Sequence, residues 1–172
     1  MVRVQPLVVD AAAHADELRR FVSYVVRGPG DDDCAIWVGA VGADGYGRFW
    51  IRRSGKRIIV RANRYALAAS LNGAALDPML RALHGCNNPA CVRVSRSGEV
   101  GLLHVVSGSQ RHNMEMMARA GRGGGRPAVR RGSAGLLARH ARAVALRDAV
   151  RGGWDADAVR SALLGSTDPT LF

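Results

Sequence analysis

Along residues 10–27, "DAAAHADELRRFVSYVVR", the apolar positions Leu18, Phe21, Val22 and Val25 form a stripe at helical spacing, with Asp10 ahead of them as an N-cap. The pattern predicts a helix, stopped by "GPGDDD", with His14 a surface residue among alanines. From Cys34 the pattern changes. "CAIWVGAVGADGYGRFWIRRSGKRIIVRA" is rich in β-branched and aromatic residues and broken at Asp44-Gly45 and Ser54-Gly55. It predicts a strand, a turn, and a hairpin centred on Ser54 and Gly55. "NRYALAASLNG" returns to helical spacing and closes at Asn72-Gly73. "CVRVSRSGEVGLLHVV" predicts a second hairpin around Ser97-Gly98, and "SGSQRHNMEMMARAG" a helix capped by Ser107 or Ser109 and ended by Gly121. "GRGGGRP" reads as a flexible linker. Residues 134–151 and 155–165 read as two helices broken at Gly152-Gly153, with Asp155 capping the second.

Side chains alternate faces along a strand, so Arg48, Trp50 and Arg52 share one face of the first hairpin and Phe49 and Ile51 the other. On the return strand Arg57, Ile59 and Arg61 lie opposite Ile58 and Val60. A ribbon with arginines on one face fits a DNA major groove, and it equally describes an ordinary hairpin with a solvated basic face. Charge adds weight to the first reading. Lysine and arginine exceed the acids by 25 to 14, a net +11, and Lys56 is the only lysine. A GC-rich genome accounts for arginine over lysine but not for the sign, and a chain this basic is expected to seek polyanions. From Arg111 to Arg151 there are ten arginines against Glu115 and Asp148.

No run approaches a membrane span, and the first residues do not read as a secretory signal, so a cytoplasmic setting is expected. There, cysteines serve more often as ligands or reactive thiols than as bridges. Two of the three cysteines sit in "LHGCNNPAC", residues 83–91. Cys34, Cys86, Cys91 and His104 would give three thiolates and an imidazole, the four donors of a structural zinc site. The alternative is small buried cysteines in strands with His104 a satisfied core histidine.

The order of these residues resembles the HNH, or ββα-metal, nucleases, closest to the His-Cys box and phage-type groups. Those typically read C-W-x-W-T-G-A…G-Y-G-R, H-R-x-A-Y, H-x-C-D-N-P-x-C-V-N-P-x-H-L, G-T-x-x-x-N-M and G-R. The counterparts here are "CAIWVGAVGADGYGRF", "NRYALA", "LHGCNNPACVRV", "LLHVVSGSQRHNMEMM" and "AGR", over residues 34–126.

The resemblance implies a DNA endonuclease in which His84 is the general base and Asn113 the ligand of a catalytic Mg2+. It makes Cys34, Cys86, Cys91 and His104 the structural Zn2+ ligands and Arg64 a phosphate contact. The second nitrogen of His84 would rest on an acceptor, such as a backbone carbonyl. Three departures stand out. The stretch "VRVSRSGEVGLL" lengthens the gap before His104, Asn63 replaces a common histidine, and Leu83 stands where many HNH enzymes have an acid. The His-Cys box group also lacks that acid.

The expected architecture is α+β: a zinc-stabilised ββα-metal core with an antiparallel hairpin platform for DNA. The units are an N-terminal helix (1–30), a nuclease domain (31–122), a Gly/Arg linker (123–133) and a C-terminal helical arm (134–172). The expected partner is double-stranded DNA, held by Arg48, Trp50, Arg52, Arg53, Lys56, Arg57, Arg61, Arg111 and Arg122. Nicking as a monomer and double-strand cleavage as a homodimer both fit, as does a non-catalytic DNA-binding protein derived from such a nuclease. His112 reads as a surface or DNA-facing neighbour of Asn113, and the arm as an auxiliary element for DNA contact or dimer formation.

Overall fold

The computed structural model describes residues 6–119 and 133–164. These form a mixed α+β molecule of five helices and three two-stranded antiparallel sheets. Helix α1 (Ala15–Val22) is followed by β1 (Val25–Arg27), which pairs with β2 (Ala35–Trp37). The long helix expected over 10–27 is therefore divided. Asp10 Oδ1 accepts from the backbone N–H groups of Ala12 and Ala13, capping a turn that leads into α1. Only Phe21 of the predicted stripe is fully buried in the helix, and Val25 pairs with Trp37 as strand.

The hairpin of β3 (Arg48–Arg53) and β4 (Lys56–Arg61) has the expected register, Arg48 opposite Arg61 and Arg53 opposite Lys56. Its two-residue turn has positive φ at Ser54 and Gly55, 48° and 74°, as the strand twist demands. Phe49 and Ile51 face inward. Helix α2 (Ala62–Ala69) follows at once and buries Ala62, Asn63, Tyr65, Ala66, Leu67 and Ala68.

One core gathers Phe21, Trp37, Phe49 and Tyr65, with ring centroids 4.7 Å apart for both Phe21–Tyr65 and Phe49–Tyr65. Arg53 closes its edge, reaching both carboxylate oxygens of Glu17 at 2.8 Å.

The strands β5 (Arg81–His84) and β6 (Val105–Gly108) pair antiparallel, His84 opposite Val105, and α3 (Gln110–Arg119) packs on both. Ser109 caps α3 through its Oγ, which accepts from His112 N–H. The second hairpin expected around Ser97-Gly98 does not form. The turn is there, closed by Glu99 N–H on Arg96 O, but residue 94 meets Val105 in a parallel bridge. Val105 finds its antiparallel partner in β5 instead, because that pairing buries Val105 in the first core with Ala82 of β5 packed against it.

A second core lies behind β2. Helix α4 (Ser133–Val150) and α5 (Ala156–Leu164) bury Ala143, Leu146, Val150 and Val159 against Ile36 and Ala90. Asp155 caps α5 as expected. Helix α4 also sits on the turn before β3: His140 Nδ1 lies 2.9 Å from Gly42 O. A Cβ on Gly45 would come within 2.9 Å of the Arg139 carbonyl oxygen. Among the described residues no helix is long and apolar enough to cross a membrane.

Candidate functional site

Three segments build a cluster from Cys34, Cys86, Cys91 and His104, whose ligand atoms all lie within 4.8 Å of one another. Cys34 enters from the start of β2. Backbone bonds from Trp37 N–H to Ala90 O and from Val92 N–H to Ala35 O lace that strand to the loop carrying Cys91. Cys86 follows β5. Gly85 between strand and ligand donates its N–H to His104 O at 2.8 Å, so close that a Cβ there would stand 2.4 Å from Leu103 O. His104 closes the set. Its long approach is held by Arg93, which bonds Asp33 O and Glu99, and by Ser95 Oγ, which accepts from His104 N–H.

The cluster could hold a metal ion such as zinc. A tetrahedral site with bonds of about 2.0–2.3 Å has edges of roughly 3.3–3.8 Å. His104 Nδ1 lies 3.7 Å from Cys34 Sγ and 3.6 Å from Cys91 Sγ. The thiols show the strain of sharing one volume. Hydrogen bonds from Cys34 and then Cys91 draw Cys86 well below the usual thiol range. Its hydrogen bond to Cys86 is the main reason Cys34 is pushed up to about 12, and burial drives Cys91 upward. Three adjacent thiolates repel one another, and a divalent cation would supply the charge that lets all three ionise. Asn88, absent from the sequence expectation, orients the set: its Oδ1 accepts from Ala90 N–H and its Nδ2 lies 3.6 Å from Cys34 Sγ. The Asn-Pro pair was its signal, since Asx turns favour that dipeptide.

Beside the cluster is a cavity of about 450 Å3 lined by residues including Tyr46, His84, Asn113, Met117, Arg119 and Arg139. The structure thus brings His84, from the end of β5, and Asn113, from α3, to one space. Among the described residues no carboxylate lines it. His84 Nε2 lies 2.9 Å from Asn63 Nδ2, which also donates to Ala82 O at 3.3 Å. His84 Nδ1 and Asn63 Oδ1 are buried with no hydrogen-bond partner. The partner of His84 is therefore a side-chain amide nitrogen, which donates, and not the acceptor expected for the ring. With Nδ2 on Nε2, the neutral ring carries its proton on Nδ1; with the amide turned over, Oδ1 accepts from Nε2–H and Nδ1 offers a lone pair.

Arg64 is not among the residues lining this cavity. Its guanidinium donates to the carbonyls of Leu80 and Asp77, bracing the loop ahead of β5, and burial followed by Arg81 holds it below the usual guanidinium range.

The ribbon arginines divide. Arg48 and Arg61 both pair with Asp44, at 2.7 and 2.8 Å, and Arg61 also covers the Tyr46 ring at 4.4 Å. Arg53 is committed to Glu17. Arg52, Lys56 and Arg57 stand exposed, Arg57 over the exposed Trp50 ring at 4.1 Å. Arg111 pairs with Glu115 on the surface and His112 is exposed; Arg122 lies outside the described residues. Compared with protein-family models, curated proteins and solved structures, the chain matches none.

Proposed function

We propose that this protein is a DNA endonuclease of the HNH type, stabilised by one structural zinc, with His84 as general base. The observation that carries the reading is the meeting of His84 and Asn113, singled out in sequence for these roles, in one cavity on the β5–β6–α3 unit beside the Cys3His cluster.

Cys34, Cys86, Cys91 and His104 would hold the zinc, for which three thiolates and an imidazole are a fitting donor set. When bound, it neutralises the thiolates and pins β2, the Cys91 loop and the turn after β5. Hydrolysis then needs an acceptor for the proton of the attacking water. His84 supplies it at Nδ1 once the Asn63 amide turns over, giving up its bond to Ala82 O so that Oδ1 takes the Nε2–H, and the ring rotates enough to open Nδ1 to the cavity. The Asn113 amide brings an oxygen to the same cavity, its N–H directed at Met117 Sδ. Mg2+, implied by the resemblance, would find that single amide oxygen and no carboxylate, where Mg2+ usually takes one or two. These residues do not make a Mg2+ site by themselves.

The missing carboxylate, the buried Nδ1 of His84 and the occupation of its Nε2 by Asn63 favour a second reading, a non-catalytic zinc-stabilised DNA-binding protein. Long mixed-sequence DNA incubated with the protein and with His84→Ala, in Mg2+ and in a chelator too weak to strip zinc, separates the two. Cuts that fall about a hundredfold or more in the variant support the endonuclease. Equal DNA binding by both proteins, with no cuts by either, supports the binding protein.

A further inference from the structure

We propose that the C-terminal helical arm is part of the nucleic-acid site: Arg139 on α4, with Arg119 at the end of α3, binds a substrate phosphate at the cavity of His84 and Asn113. The inference shares with the nuclease reading only the premise that this cavity receives nucleic acid.

Three observations carry it. Arg119 and Arg139 both line the cavity, and both are exposed. Among the described residues neither guanidinium has a hydrogen bond or ion pair, in contrast to Arg48, Arg53, Arg61 and Arg111, which are all matched to acids. With no acid among the described lining residues, none of them offsets the charge of these two cations. Arginine in this state suits a phosphate, which accepts paired N–H donors from its planar fork.

The second observation is that Arg64, the other arginine near β5, donates to the Leu80 and Asp77 carbonyls and does not line this space, so Arg119 and Arg139 are the cations among its described lining residues. The third is that α4 is fixed and not merely tethered. Leu146 and Val150 are fully buried in the core behind β2, and the Arg139 backbone lies against Gly45. A side chain at position 139 is therefore held at the cavity by packing that begins at Ile36, the residue that bridges to Cys91. The apolar wall of Tyr46, Met116 and Met117 suits the sugar and base of the same nucleotide.

The test is duplex DNA affinity across a series of salt concentrations for the wild type, Arg139→Ala, Arg139→Lys, Arg119→Ala and a control, Arg160→Ala, on the far helix α5. Each phosphate contact contributes about 0.9 to the slope of log K against log salt. Arg139→Ala and Arg119→Ala are expected to lower that slope by about one each and to weaken binding roughly tenfold at low salt. Arg139→Lys should keep the slope, and Arg160→Ala should match the wild type. Slopes unchanged in both cavity variants would overturn the proposal, as would equal losses in Arg160→Ala, which would mean diffuse charge. Absence of DNA binding by the wild type would overturn it too. DNA bound but never cut removes the nuclease reading while the slopes still decide this one. A melting midpoint equal to wild type shows that a slope change is not misfolding.

Discussion

Asn63 Nδ2 stands 2.9 Å from His84 Nε2 while also reaching the carbonyl of Ala82, so one buried amide governs which nitrogen of His84 carries the proton. Asn63 is the first-turn residue of α2 and His84 the last residue of β5, so packing of that helix on that strand makes the pair.

Asn63→Leu is expected to lower cleavage by tenfold or more with metal content unchanged, because the ring loses its fixed tautomer. Asn63→Asp, which can only accept from Nε2–H, is expected to retain activity. Nitrogen-15 spectra of the His84 ring report the tautomer directly. An Nδ1–H ring in an active wild type would rule out Nδ1 as the base.

The cluster is expected to hold one zinc per chain, measured by mass spectrometry of the native protein. Cys91→Ser should lose it and melt roughly 10 °C lower or more, since structural zinc contributes its binding energy to folding. A stable, metal-free wild type after exhaustive zinc supplementation would remove the metal from the account.

Arg53 and Arg52 are adjacent in sequence and expected to differ in effect. Arg53→Ala should cost about 1–2 kcal/mol, above the usual surface pair because its bond to Glu17 is bidentate and half-buried, and leave DNA affinity nearly intact. Arg52→Ala should weaken DNA binding without changing stability. Denaturation and binding curves on both variants check this, and a reversed pattern would refute the division of the ribbon.

The same pair sets an acid limit. Burial raises the Glu17 carboxyl, but the two hydrogen bonds from Arg53 and the attraction of its charge outweigh it, and the folded-state value falls below the ordinary 4.5. A depressed carboxylate stabilises above its unfolded value and loses that contribution as pH falls through the lower, folded one. Stability should therefore decline below about pH 4.5, and Glu17→Gln should flatten that part of the curve. Identical acid limbs in urea titrations of the two proteins would contradict it.

Leu146→Ala tests whether the arm shares the fold. With Leu146 wholly buried between α4 and β2, the change should cost about 2–5 kcal/mol. A loss below about 0.5 kcal/mol in urea denaturation would mean that the arm does not pack as described.

The four cluster residues were legible because cysteine and histidine announce their chemistry by type, and the first hairpin because period-two alternation and a Ser-Gly turn are local signals. Asp155 and Ser109 were legible as caps for the same reason. What the chain could not reveal depends on partners distant in sequence. Strand β6 pairs antiparallel with β5 and meets the segment before it only in a parallel bridge, because burial of Val105 in the first core beside Ala82 decides a choice that two apolar runs leave open. Arg64 and Arg139 look alike in sequence. Docking of α2 on the loop before β5 ties up the first, and packing of α4 against Ile36 and Gly45 brings the second to the cavity. The sequence by itself determined which donors and bases exist; tertiary packing decided which of them meet, since an arginine's or an amide's partner is set by where burial brings its backbone.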